Sequence, residues 1–173
     1  MSRLLGLARP LGIALGLVLI ALLLHPVAGR LRDGGAGAEG TPHDRAVLDG
    51  VATTDVTGDV STALSRIFSY TPADVDAARR AAADVLTGPA AAQYTKIFGQ
   101  VARQAPAQRV TLTTRVTRAG VISLVGDTAW LLVFLDQTAT RAGRPDGTPA
   151  AAQLTVTAHR DDGHWRITAL KSA

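Results

Sequence analysis

Cysteine is absent from this chain, which excludes a disulfide framework in any compartment and rules out a lipid-modified N-terminal cysteine. Lysine is scarce, with only Lys96 and Lys171, and aromatic residues make up 4% of the sequence. Several signatures of catalysis are missing too. No serine lies in a Gly-x-Ser-x-Gly elbow, no glycine-rich phosphate loop occurs, and the serines and histidines form no triad pattern. A net pull on nucleic acid is also lacking, despite a net charge of +4 and a pI near 10.3. Arg3, Arg9 and Arg30 account for the excess, and from residue 31 onward 15 basic side chains meet 14 acidic ones. A domain so balanced has little attraction for phosphate backbones.

What the chain does have is one long apolar run. Residues 11–24 carry no polar or charged side chain. With the flanking residues up to Gly29 the run approaches the ~20 residues of helix that cross a hydrocarbon core. It implies either an N-terminal membrane anchor or a cleaved export signal. Small residues suited to cleavage come late, at Ala36-Gly37-Ala38, so a retained anchor is favoured. Arg3 and Arg9 before the run nearly balance Arg30 and Arg32 after it. The short N-terminal tail favours moving the C-terminal part across. The expected organisation is a cytoplasmic tail at 1–10, a single transmembrane span at 11–29, a flexible linker at 30–44 and an extracytoplasmic domain at 45–173. The linker is rich in glycine and has no large apolar residue between Asp33 and His43, as a tether requires. The domain has a common size for one hydrophobic core.

Helices are expected first in that domain. Leu48, Val51, Ala52, Val56, Val60, Ala63, Leu64, Ile67 and Phe68 recur at three- and four-residue steps, the stripe of an amphipathic helix. Gly50 and Gly58 put its secure start near Asp55 or Asp59. A second helix is expected to open at Thr71, a good N-cap with Pro72 in the first turn, or at Asp74, and to stop at Gly88. A third is expected from Pro89 to Gln104, ending before Pro106. The period then changes to two. Val110 to Thr117 alternate, Ala119-Gly120 reads as a bulge or bend, and Gly126-Asp127 reads as a tight turn. Ala129 to Leu135 is apolar on both parities, which predicts a central strand covered on both faces. Residues 141–149 read as a loop. The last hairpin is registered by a turn at Asp162-Gly163, setting Asp161 opposite His164, Arg160 opposite Trp165 and Ala158 opposite Ile167. Leu154, Val156, Ala158, Trp165, Ile167 and Ala169 then share one face. The expected class is α+β, with three helices on one face of a curved antiparallel sheet of about four strands.

Phe68-Ser-Tyr70, Val85-Leu-Thr-Gly88, Gln93-Tyr94, Gly120-Val121, the segment from Ala129 to Gln137 and the closing Trp165-Arg-Ile-Thr resemble the Mce-associated membrane proteins of actinobacterial envelopes. The order of anchor, linker, helices and strands follows the same family across residues 1–173. The resemblance implies a cone-shaped, nuclear-transport-factor-2-like extracytoplasmic domain at the cell membrane. It also implies a non-enzymatic accessory role, with protein partners, beside a lipid-importing Mce-type assembly. It supplies no catalytic residue and no cofactor.

Candidate sites follow from the residues. His159, Asp161 and His164 share one face of the last hairpin, but two imidazoles and one carboxylate beside an exposed turn make a solvated turn the better reading than a metal site. Asp136 ends the most apolar strand and, beside a hydroxyl from Tyr70 or Tyr94, would suit proton abstraction. A solvated strand-end carboxylate is the plainer reading. If the cone keeps an apolar cavity, its expected lining is Phe68, Tyr94, Phe98, Trp130, Leu132, Phe134 and Asp136, and its ligand a lipid or sterol. Charge is uneven along the domain. Residues 44–87 carry seven acidic and four basic side chains, and residues 88–173 five acidic and ten basic. A dipolar surface of this kind suits a protein partner, with ordinary solvated faces as the simpler account.

Overall fold

The computed structural model describes residues 42–173, with side chains from Gly50 onward except those of 144 and 145. The expected anchor at 11–29 and most of the expected linker lie outside the described residues. Among the described residues no helix is long and apolar enough to cross a membrane. Three helices, α1 (Pro42–Ile67), α2 (Asp76–Val85) and α3 (Gly88–Gln108), precede four strands. These are β1 (Val110–Val125), β2 (Thr128–Arg141), β3 (Arg144–Asp161) and β4 (His164–Ser172), paired antiparallel in the order β1-β2-β3-β4. The α+β class and the helix-then-sheet order expected from the sequence are what the chain adopts.

Burial explains the helices. Val56, Val60, Leu64 and Ile67 lie along one side of α1 and are fully buried. Each such burial stabilises by about 1.5–3 kcal/mol. That outweighs the ~1 kcal/mol each of Gly50 and Gly58 costs inside a helix. The helix therefore runs back to Pro42, well before the expected start, and Pro42 occupies the first turn, where its missing N–H is harmless. Of the two starts expected for α2, the structure takes the later. Thr71 and Asp74 close a turn ahead of it, and Asp74 Oδ1 accepts from the Ala77 N–H at 2.9 Å. Asp74 thus serves the helix start. At its other end Leu86 leaves the helix to bridge Ile167, and the Thr87 N–H donates to the Ile167 carbonyl at 2.9 Å. Helix α3 continues one turn past its expected end, through Pro106, and stops where Arg109 turns left-handed at φ 51°.

The sheet has one inner face. Ala129, Leu131, Val133 and Leu135 of β2 and Leu154, Val156 and Ala158 of β3 are buried with the helices. The last hairpin has the expected register, with Asp161 opposite His164, Arg160 opposite Trp165 and Ala158 opposite Ile167. A shift between Thr157 and Ala158 then turns Ala169 away from the core and brings in Leu170. In β1 the register shifts fall between Val116 and Arg118 and between Val121 and Ser123, whereas Gly120 pairs with Leu132. The bulges are therefore at Thr117 and Ile122 and not at Ala119-Gly120. Residues 144–149, expected as a loop, are strand. That half of β3 has no β4 partner, since β4 pairs only from Leu154 onward. A free edge tolerates Pro145 and Pro149.

Candidate functional site

All three helices pack on one side of the sheet, so among the described residues the other side has no helical cover. On β2 the side chains of Trp130, Leu132 and Phe134 point there; Phe134 is 37% exposed, and Trp130 and Leu132 are half-buried. None of the three belongs to the core or packs against it. Their cross-strand neighbours are mostly small or polar. Trp130 lies between Ser123 and Thr157, Leu132 between Gly120 and Thr155, and Phe134 between Arg118 and Gln153. The three apolar side chains consequently stand as a ridge down the middle of a pleated surface. A Cβ built at Gly120 meets nothing within 4 Å. Arg115, Arg118 and Lys171 border the ridge on the outer strands, and Asp136 is the carboxylate within it, opposite Arg115. The expectation that Ala129–Leu135 is covered on both faces is corrected. The strand is central, but among the described residues only its odd-numbered side chains are covered.

The seven residues expected to line one cavity are divided by the sheet. Phe68, Tyr94 and Phe98 lie on the helical side, while Trp130, Leu132, Phe134 and Asp136 lie on the open side. The helical group is packed solid. Tyr94 stacks on Phe98 with centroids 5.0 Å apart, and Phe68 tilts against Tyr94 at 6.3 Å. Phe68 and Phe98 are each 1% exposed, which leaves no water-sized space beside them. Tyr70 completes the group edge-on to Phe98.

A polar network beneath these rings was not foreseen. Helix α1 ends with carbonyls that have no partner within the helix, and side chains from three other places meet them. The Tyr94 hydroxyl donates to the Ile67 carbonyl at 2.7 Å, Thr114 Oγ1 to the Phe68 carbonyl at 2.7 Å and Ser69 Oγ to the Ser65 carbonyl at 2.6 Å. Gln137 Nε2 donates in turn to Thr114 Oγ1 at 2.8 Å. Burial raises the pKa of both tyrosines, so both hold their protons at neutral pH. The polar residue among the apolar ones at each strand position was the available signal, since Thr114 and Gln137 share the inward parity.

Asp136 and the two tyrosines stand on opposite faces of the sheet, so the pairing needed for proton abstraction is not assembled. The hairpin histidines are exposed, His159 Nδ1 lies 3.2 Å from Thr128 Oγ1, and Asp161 faces Arg166 at 3.8 Å. Among the described residues no three metal-ligating side chains are grouped to share an ion.

Two proteins of Mycobacterium tuberculosis, the uncharacterized proteins MT1407 and Rv1362c, are each 35% identical to the chain over 103 residues. The match takes in 59% of this chain and 47% of theirs, so the chain spans about half the length of the curated relatives it matches. No family model matches the sequence. Solved structures share the fold at low identity. An IcmL-like type IV secretion system protein from Legionella pneumophila superposes with a TM-score of 0.60 at 9% identity, over 69% of this chain and 91% of that one. CagV, a VirB8 homolog of Helicobacter pylori, superposes with 0.55 at 12% identity, over 69% and 98%. A periplasmic fragment of TraM gives 0.54 at 12%, over 69% and 95%. The architecture of three helices on a four-stranded antiparallel sheet is shared with these proteins, and the likenesses concern the fold alone.

Proposed function

We propose that the protein is a non-enzymatic accessory subunit of a multiprotein envelope assembly, docking a partner protein against the open face of its sheet. The ridge of Trp130, Leu132 and Phe134 carries this reading. Large apolar side chains grouped on a surface, rimmed by charge, mark interaction sites in soluble domains. Aromatic residues and arginine are also the groups that most often dominate binding at such sites. Two of the fold's neighbours are named for type IV secretion systems, which fits a domain used as a building block in envelope machinery. The finer assignment is to an Mce-type lipid import system, from the resemblance in the sequence, with residues 11–29 anchoring the domain at the outer side of the cell membrane. The competing reading, a lipid or sterol held inside the cone, would require open space beside Phe68, Tyr94 and Phe98, which instead fill the core.

Purifying the full-length tagged protein from its native membranes in mild detergent, followed by mass spectrometry of proteins and lipids, tests this. Co-purifying Mce-type or transporter subunits are expected. A lone protein carrying a stoichiometric lipid would replace the accessory role with a binding module.

A further inference from the structure

A pocket of about 660 Å³ opens at the end of the sheet where β1 begins and β2 ends, away from the ridge. Pro72 and Ala73 from the α1–α2 connection, Arg109 and Thr111 from the entry to β1, and Thr140 and Arg141 from the end of β2 line it. Its walls are tied together by backbone. Tyr70 and Leu112 exchange two hydrogen bonds of 2.9 Å, and the Ala142 N–H donates to the Arg109 carbonyl at 3.3 Å.

Charge in this pocket is of one sign. Its lining residues include Arg109 and Arg141 and no aspartate or glutamate. Among the described residues neither Arg109 nor Arg141 has a carboxylate within ion-pair distance, although Arg79, Arg80 and Arg166 all do. Arg109 occupies a left-handed position, φ 51°, where glycine or asparagine usually closes a helix and a side chain is disfavoured. An arginine held there, with a second arginine lining the same pocket, is placed to receive an anion.

We propose that this pocket binds the phosphate group of a phosphate ester. Each guanidinium offers a planar fork of N–H donors that matches two phosphate oxygens. A tetrahedral phosphate presents enough oxygens to engage both forks together, whereas a flat carboxylate is satisfied by one. Pro72 and Ala73 give the carbon part of the ester an apolar wall, and the volume falls within the ~300–1,000 Å³ of small-molecule sites. Phosphorylated metabolites and phospholipid headgroups share this chemistry.

The test is calorimetric titration of the full-length protein in a non-ionic detergent. The probes are inorganic phosphate, glycerol 3-phosphate and water-soluble dihexanoyl phosphatidic acid. The comparison protein carries Arg109→Gly and Arg141→Gln, and glycine suits the left-handed backbone at 109. Saturable binding of at least one probe is expected, weakened about tenfold or more in the double variant, with an undiminished urea midpoint. Preference for glycerol 3-phosphate would assign a soluble ester, and preference for the dihexanoyl lipid a headgroup. No saturable binding of any probe up to about 10 mM, or equal binding by the double variant, would overturn the proposal. A single-site variant, Arg141→Lys, gives a second reading. It keeps the charge but loses the fork, so affinity is expected to fall between the two.

Discussion

The two faces of strand β2 are built from the same kinds of residue and have opposite fates. On one side Ala129, Leu131, Val133 and Leu135 are sealed under three helices. On the other, Trp130 and Leu132 are half-buried and Phe134 is exposed, outside the core and without helical cover among the described residues. Each residue differs from its neighbour by one position, which in a strand means the opposite face. The inner face makes the domain fold. The outer face is apolar without contributing to that core. Stability thus rests on the odd positions of the strand, and the docking proposed above on the even ones.

The sharpest way to break this comparison is a pair of truncations one residue apart. Leu131→Ala removes a side chain with no exposed surface and is expected to cost about 2–5 kcal/mol in urea unfolding. Leu132→Ala is expected to cost under about 1 kcal/mol. Equal losses would mean that the outer face is part of the folded core.

Next in size is the polar network under the inner face. Thr114→Val leaves the Phe68 carbonyl and the Gln137 amide without their partner, and a loss of about 1–3 kcal/mol is expected by the same measurement. Gln137→Leu is expected to be near neutral, because Gln137 Oε1 is already buried without a partner and Thr114 keeps its bond to Phe68. A large loss in Gln137→Leu would show that Gln137 holds the network together.

Tyr94→Phe deletes the bond to the Ile67 carbonyl and is expected to cost about 1 kcal/mol. It also has a pH signature. Burial raises the Tyr94 pKa above its ordinary value of 10.0, so the unfolded chain releases this proton first. The contribution is therefore complete below pH 10 and is lost as pH rises further. Urea midpoints measured at pH 9 and pH 11 are expected to fall less in Tyr94→Phe than in the native protein.

The smallest expected effect lies at the middle of the open face. Gly120→Ala adds a methyl group to empty space and is expected to leave stability unchanged or raise it by up to ~1 kcal/mol. A clear loss would indicate that the backbone there is more confined than the pleated surface implies.

The hairpin register at Asp161–His164 was legible because Asp162-Gly163 leaves one turn and the flanking residues alternate cleanly. The same alternation missed the outward turn of Ala169, since a bulge carries no compositional mark when its residues are threonine and alanine. In β1 the one residue that looks like a bulge, Gly120, is paired, and the real bulges at Thr117 and Ile122 resemble ordinary strand. Residues 144–149 read as a loop because proline signals a turn unless the strand edge is known to be free, and that depends on where β4 begins. The division of β2 was hidden for a different reason. A strand apolar on both parities looks the same whether its second face meets its own helices or another molecule. The seven-residue cavity expected around Trp130 and Phe68 was drawn across that ambiguity, and the sheet now separates its halves. The pocket at Arg109 and Arg141 joins positions 32 residues apart in the sequence, and no spacing rule connects them.

The most direct test of the open face is photo-crosslinking in living cells, with benzoylphenylalanine placed at Phe134 in one strain and at Arg79, on exposed α2, in another. The account predicts discrete protein adducts from position 134 and none of comparable yield from position 79. Adducts confined to position 79, or none from position 134 while the protein is folded and abundant, would contradict it.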